Sequence, residues 1–425
     1  MAQSPLNTAY QPMMYSNSST LGDLVPPSDY TLSHNSMMFG LNGSARYGIN
    51  IYNGPSPSPA GSRHIHLKLG MDGFIYSFPF NLSNNVIRIN PSNGTFTTLT
   101  APALNQTFGQ SAVAPNGDII GIPSSARQVC AYRPSTNTFT NFGTDFGVGI
   151  NKWRTGVLAP NGLIYCSPLT NASILVIDPV ARTTRTLGNF GTATLKWKDG
   201  VLHPNGLIYF FPNGTSVTSI LVLNPRDETT RLIPILNKYP FQTGGNSSIG
   251  AASLGFDDKI YLSFFNYAVW GIFDPFNETI EFVINNGNSF GAPVQEFGLL
   301  GGAFFTAAQS MQLTTDGKFI VPQASVAVAA SNRLNAFPFE LDVKTRKINR
   351  ISATNDIIPT WTQDGTGSAN GSCMDRDGNI WTIGNGQQFI MKISGFPLAT
   401  PEMVTMPTDL STLPSSLYNK FHNKY

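Results

Sequence analysis

Charge is what this chain has least of. Asp, Glu, Lys and Arg make up 12% of its 425 residues, about half the ~25% usual in soluble domains. The formal net charge is +2, with no Lys/Arg-rich tract, so electrostatic capture of nucleic acid or of acidic membranes is not expected. Cysteine is nearly as rare. Cys130, Cys166 and Cys373 lie far apart with no Cys-x-x-Cys spacing, which excludes a disulfide framework or a cysteine-built zinc site. Long apolar runs are missing too. FGLLGGAFFTAA (297–308) is the longest nearly apolar stretch, far short of the roughly 20 residues of a bilayer crossing, so no membrane span is expected. The opening MAQSPLNTAYQPMMYSNSST has no basic segment leading into an apolar one, so no secretory signal is expected there. Polarity comes instead from abundant Asn, Ser, Thr and Gly.

Within that composition one phrase keeps returning. GVLAPNGLIYCSP (156–168) and GVLHPNGLIYFFP (200–212) share nine of their first ten letters. Relatives are LGMDGFIYSFP (69–79), VAPNGDIIGIP (113–123), LGFDDKIYLSF (254–264), LTTDGKFIVP (313–322) and CMDRDGNIWTI (373–383). Their turn positions are Gly73, Gly117, Gly162, Gly206, Asp258, Gly317 and Gly378, spaced by 44, 45, 44, 52, 59 and 61 residues. A second signature follows the first, as in VIRINPSNGTFTTL (86–99), ILVIDPVARTTRTL (174–187), ILVLNPRDETTRL (220–232) and GIFDPFNETIEF (271–282). An apolar strand ends in Asp/Asn-Pro, a short turn follows, and a Thr-rich strand returns.

Each unit therefore predicts four short antiparallel strands. In the third they fall near Thr155–Leu158, Leu163–Ser167, Ile174–Ile177 and Thr184–Leu187. Asn-Gly suits the tight hairpin between the first two. Proline cannot donate to a ladder and ends the third. No helical 3.6-residue period competes. Seven such units predict an all-β, seven-bladed β-propeller of four-stranded antiparallel blades. The expected domains are an extended N-terminal arm over 1–62, the propeller over 63–406 and a tail over 407–425.

These units resemble the PNG-x-I-Y…IDP-type repeats of propeller proteins found in phages, large viruses and some protists. DRDGNIWTI (375–383) also resembles the repeats of streptogramin-lyase-like propellers. The resemblance spans roughly residues 63–406 and implies the fold. For the lyase-like group it also implies a histidine and a metal-holding acid on the propeller face. Neither maps here, because the blade 7 unit contains no histidine.

Strand parity separates two faces. The Asn-Gly and Asp-Pro turns share one. The long insertions 234–248, 283–308, 322–333 and 352–370 fall on the other, in blades 4 to 7, and the N-terminal arm is expected to start there as well. Loops on a rigid scaffold are where binding usually lives.

Chemistry-bearing sets are sparse. The pair in RHIHLKL (63–69) lies on one strand with no third ligand at a sensible spacing, so a structural role is favoured over a metal. Asp375, Asp377 and Asn379 look like a calcium loop, but the glycine is early and no glutamate closes it. Serines near Gly-Ser pairs lack a His and Asp pattern around them. No catalytic residue, cofactor or metal site is assigned. Candidate partner-binding residues are Trp153, Arg154, Trp197 and Lys198, from Lys-Trp-Arg and Lys-Trp-Lys at equivalent points of blades 3 and 4, with inter-blade filling as the alternative. Phe297, Leu299, Leu300, Phe304 and Phe305 from the apolar insertion, and Trp361 from the last insertion, join them.

The reading that covers these features is a non-enzymatic virion structural or attachment protein. Residues 1–62 and the insertions 283–308, 322–333 and 352–370 would meet other virion proteins, and a host receptor or glycan would be a further partner. Two alternatives stay open: a secreted or cellular propeller scaffold or lectin, and a streptogramin-lyase-like metal-dependent enzyme.

Overall fold

The computed structural model describes residues 48–53, 64, 66–80, 85–100, 107–213, 217–235, 249–264, 269–284, 304–306, 310–328, 332–346, 348–350, 369–384 and 389–395. It is all-β. The first strand is β1 (Gly48–Asn53). Blade 1 is β2 (Lys68–Leu69), β3 (Ile75–Ser77), β4 (Asn85–Ile89) and β5 (Phe96–Thr100). Blade 2 is β6 (Phe108–Val113), β7 (Ile119–Pro123), β8 (Val129–Arg133) and β9 (Thr138–Phe142). Blade 3 is β10 (Trp153–Leu158), β11 (Ile164–Pro168), β12 (Ile174–Asp178) and β13 (Thr183–Leu187). Blade 4 is β14 (Trp197–Leu202), β15 (Ile208–Pro212), β16 (Ser219–Leu223) and β17 (Thr230–Pro234). Blade 5 is β18 (Ile249–Leu254), β19 (Ile260–Phe264), β20 (Val269–Asp274) and β21 (Thr279–Ile284). Blade 6 holds β22 (Phe304–Thr306), β23 (Gln312–Leu313), β24 (Lys318–Val328), β25 (Asn332–Asp342) and β26 (Ile348–Arg350). Blade 7 adds β27 (Ala369–Met374), β28 (Ile380–Gly384) and β29 (Phe389–Ser394). The expected seven-bladed propeller is what forms.

The repeated phrase is a hairpin with a strut. Asn161 Oδ1 accepts the Leu163 N–H at 3.1 Å, while its Nδ2 donates to Tyr165 Oη at 2.9 Å and to the Pro225 carbonyl of blade 4 at 2.9 Å. Asn205 repeats the cap and the tyrosine bond on Leu207 and Tyr209. In blades 1 and 5 an aspartate takes the place, and Tyr76 and Tyr261 donate to Asp72 and Asp257. These tyrosines are fully buried. One side chain thus closes a turn and braces the barrel-facing layer.

The inner and middle strands of blades 3 and 4 are almost continuously buried, whereas β13 and β17 are mostly exposed. That follows from blades packed face to face, with Thr-rich outer edges blunting strand pairing between molecules. The packing leaves little slack. A Cβ on Gly109 would sit 2.2 Å from the Arg154 carbonyl of blade 3.

Neighbouring blades are also pinned by ion pairs from their outer turns. Arg182, Glu228, Glu278 and Arg346 all adopt left-handed φ, 53–58°. Such a backbone costs a non-glycine residue about 1 kcal/mol or more. Each side chain offsets part of that cost by reaching back to the preceding blade. Arg182 meets buried Asp118, Glu228 meets Arg185, Glu278 meets Arg231, and Arg346 meets Glu281.

Blade 7 departs from the sequence reading. Its order is β1-β29-β28-β27, so its outer strand comes from the region expected to be an extended arm. Gly48 lies opposite Ser394 and Asn53 opposite Phe389. The N-terminal segment therefore closes the ring. Since β29 runs toward the hairpin face, Gly48 enters from that face. Gly48 and Ser394, opposite each other in that pair, both lie at the hairpin-face end of the sheet.

Candidate interaction face and channel

Two places gather side chains that the fold alone does not demand: the upper channel, and the loops at its rim. The channel is lined by the innermost strands. The residue three before each hairpin pair (Leu69↔Ile75, Val113↔Ile119, Leu158↔Ile164, Leu202↔Ile208, Leu254↔Ile260, Leu313↔Phe319, Met374↔Ile380) marks one level of the bore. Those residues are His66, Gln110, Thr155, Asp199, Ala251, Ser310 and Gly371. In blades 2, 3, 4, 5 and 7 the strand bulges at or next to this level, which re-aims side chains toward the bore.

Asp199 is the acid of that ring, and it is 1% exposed. Its Oδ2 accepts the Ala252 N–H at 2.8 Å, and Oδ1 accepts the Gly200 N–H at 2.9 Å, Thr155 Oγ1 at 3.3 Å and Gln110 Nε2 at 3.4 Å. The bonds tie together the inner strands of four successive blades. Burial pushes the Arg154 guanidinium down to about 10, and the Asp199 charge opposes that shift. Arg154 lies over the Phe80 ring, 4.4 Å from its centroid.

The rim loops between blades 2 and 3 and between blades 3 and 4 are copies of each other: FGVGINKWR (146–154) and FGTATLKWK (190–198). Each phenylalanine packs edge-on against its own loop's tryptophan, Phe146 on Trp153 at 4.7 Å and Phe190 on Trp197 at 5.7 Å. The indoles are buried, and their Nε1–H groups donate to the Ser173 and Ser219 carbonyls at 2.8 and 2.9 Å. Lys152 Nζ donates to the carbonyls of Ser125, Gly147 and Gly149, and Lys196 Nζ to those of Thr170 and Ala193. Burial lowers the pKa of both lysines. Each loop is thus fastened at two points, and its tip stands in solvent. Val148 is 88% exposed, Ile150 73% and Leu195 42%.

The sequence-proposed residues fare unequally. Trp153 and Trp197 fill gaps between blades, the alternative weighed against binding, and Arg154 and Lys198 are buried beside them. Phe304 and Phe305 form part of β22, which pairs with β24 at Ala327 and Val326. Phe297, Leu299, Leu300 and Trp361 lie outside the described residues. The expected insertion 322–333 proves to be the far half of a long hairpin, with β24 and β25 paired out to Val328 and Asn332. It projects from blade 6 on the elaborated face. The exposed tips Val148, Ile150 and Leu195 were missed. Their signal was available, since Phe-Gly recurs seven residues before each tryptophan.

The histidine pair divides. His64 bridges Pro79 between strands, and His66 faces the bore. Burial pushes the His64 imidazole down to about 4, a shift that the nearby Ser77 and Phe78 backbone only partly opposes. Asp375 is a turn cap, as expected: it accepts bonds from Asp377 N, Asn379 N, Asn379 Nδ2 and Trp381 Nε1. Among the described residues no cluster of three or more His, Cys, Asp and Glu could hold a metal ion, and no helix is long and apolar enough to cross a membrane.

No protein-family profile matches the chain, and no curated protein does. Solved structures do. A streptogramin B lyase superposes with TM-score 0.57 at 12% identity, covering 82% of this chain and 97% of that one. A virginiamycin B lyase from Staphylococcus aureus gives TM-score 0.55 at 12% identity, covering 82% and 99%. The extracellular domain of a putative hybrid two-component system from B. thetaiotaomicron gives TM-score 0.56 at 12% identity, covering 85% of this chain and 44% of that one. Identity this low carries the fold and nothing further: the chain is a seven-bladed β-propeller built like these scaffolds.

Proposed function

We propose that this chain is a non-enzymatic scaffold with two working faces, set in the virion of a phage or large virus. The observation that carries the two-faced reading is the opposition of tails and tips. Gly48 and Ser394, where the two tails join the propeller, are paired at the hairpin face. The fastened loops with exposed Val148, Ile150 and Leu195 stand on the other. Apolar side chains held away from the body by rigid loops lose little entropy on docking, which suits an anchor for a partner. The tails would fix the propeller to the particle, and the loop face would meet a further virion protein, host receptor or glycan. The resemblance of the repeats to those of phage and large-virus propellers supports that setting.

The test is copy number on purified particles, by quantitative mass spectrometry. Deleting residues 1–47 should leave the propeller folded and lower incorporation at least tenfold. Val148→Asp with Ile150→Asp should incorporate normally and lose the outward contact, read as attachment of particles to host cells. Absence of the wild-type chain from particles refutes the setting. Normal incorporation of the deletion refutes the tether.

A further inference from the structure

We infer that the outer joint between blades 2 and 3 is a binding point for one oxyanion group, a carboxylate or a phosphate. The joint lies on the hairpin face, and its chemistry does not depend on the scaffold role. Two positions of the blade template are exchanged there. At the end of the third strand, blades 1, 3, 4, 5 and 6 place Asn90, Asp178, Asn224, Asp274 and Asp342, each accepting an N–H of the turn that follows. Blade 2 places Arg133 at this point, and an arginine has no acceptor with which to cap a turn. Opposite it, beside the turn glycine, blades 3 and 4 carry Leu163 and Leu207 where blade 2 carries Asp118. The exchange buries an acid and turns a cation outward: side-chain exposure is 0% for Asp118 and 41% for Arg133.

A second cation arrives from blade 3. Arg133 Nε donates to Asp118 Oδ1 at 2.8 Å and Nη2 to Oδ2 at 2.9 Å, while Arg182 Nη2 donates to the same Oδ2 at 2.9 Å. Asn116 Nδ2 adds a fourth bond at 3.2 Å. The carboxylate is therefore saturated, and setting it against both guanidiniums leaves one positive charge over. Arg182 alone would give Asp118 the pairing seen at the next three joints, where one acid meets one base. Among the described residues neither arginine meets another carboxylate, and Arg182 Nη1 is buried with no hydrogen-bond partner. An arginine carries five N–H donors, so Arg133 keeps its Nη1 protons and each Nη2 keeps one proton. Because the two Nη2 atoms flank one oxygen, a second oxygen arriving from solvent can bridge them. Two guanidinium forks converging on one point, with charge to spare, match the chemistry of a carboxylate or phosphate.

The full chain, isotope-labelled, is titrated at neutral pH with sodium phosphate and separately with sodium acetate, at constant ionic strength held by chloride. The arginine Nε–H signals are followed by NMR. At least one anion should shift the Arg133 and Arg182 signals saturably, with half-saturation at about 10 mM or below. The anion that saturates at the lower concentration tells a phosphate source from a carboxylate source. Arg133→Asn installs the residue that blades 1 and 4 use at this point, so the blade should fold, and affinity read on Arg182 should fall about tenfold or more. Arg182→Asn copies Asn137, the left-handed residue at this point in blade 2, and should weaken binding at Arg133 likewise. Arg226→Asn, on the outer turn of blade 4, should leave binding unchanged. No saturable shift with either anion overturns the inference. So does a saturable shift that Arg133→Asn and Arg182→Asn both leave intact, which would mark an adventitious ion only.

Discussion

Acid should loosen this propeller, and the largest separable share comes from His64. Burial takes its pKa from the ordinary 6.5 to about 4. The native state therefore refuses a proton that the unfolded chain accepts at about 6.5. Between those two values the unfolded state binds more protons, so stability falls as pH falls through that window. Above pH 6.5 both states are neutral and the effect vanishes; below pH 4 both are charged and the loss is complete. The difference of 2.5 units at 1.36 kcal/mol each amounts to about 3 kcal/mol, a substantial share of a typical 5–15 kcal/mol. The His203 imidazole, also lowered by burial, adds a loss of the same sign. Urea unfolding of wild type and His64→Gln at pH 7.5, 6, 5 and 4 isolates the term, since carboxylate titration is common to both. The variant should be less stable at pH 7.5, because it loses a fitted ring, yet its stability should fall by about 3 kcal/mol less between pH 6.5 and 4. Parallel pH profiles would refute the reasoning. So would a native-state NMR titration that places the His64 midpoint at its ordinary value.

Two further outcomes follow from the packing and the closure. Trp197→Ala removes a buried indole and its hydrogen bond to the Ser219 carbonyl, and should cost about 3–5 kcal/mol in urea or thermal unfolding; an unchanged Tm would contradict the inter-blade role assigned to that ring. Deleting residues 1–53 removes the strand that pairs with β29 along six residues and should give an open-edged, aggregation-prone product by light scattering, whereas deletion of 1–47 should stay monodisperse.

The blades were legible because the chain spells out its turns. Asn-Gly demands positive φ, proline ends a ladder, and in blades 1, 3, 4 and 5 a tyrosine four residues after the turn Asn or Asp strengthens the signal with a side-chain strut. Ring closure was not legible. GINIYN (48–53) carries no turn of its own, because its hairpin partner lies more than three hundred residues away, in β29. A strand that pairs across the whole chain leaves no local mark, so the expected arm ran through a segment that belongs to blade 7. The Lys-Trp repeats left binding and inter-blade filling both open, and the phenylalanine seven residues upstream, which gives each indole a partner inside the fold, was the signal that separates them.

Comparison of the two best copies shows where function separates from architecture. Gly156, Val157 and Leu158 recur as Gly200, Val201 and Leu202, and Trp153 as Trp197. These positions answer to packing: a Cβ on either glycine would meet a neighbouring side chain at 2.6 Å. The position between them does not recur. Thr155 in blade 3 faces Asp199 in blade 4, with the Thr155 hydroxyl bonded to the Lys198 carbonyl at 2.8 Å. Where a chain copies its own repeat, the fold dictates the copied residues, and the bore-facing exceptions are free to differ. His66, Gln110, Asp199 and Ser310 are such exceptions at a single level of the channel. That level, rather than the motif that builds the blades, is where this chain departs from being merely a propeller.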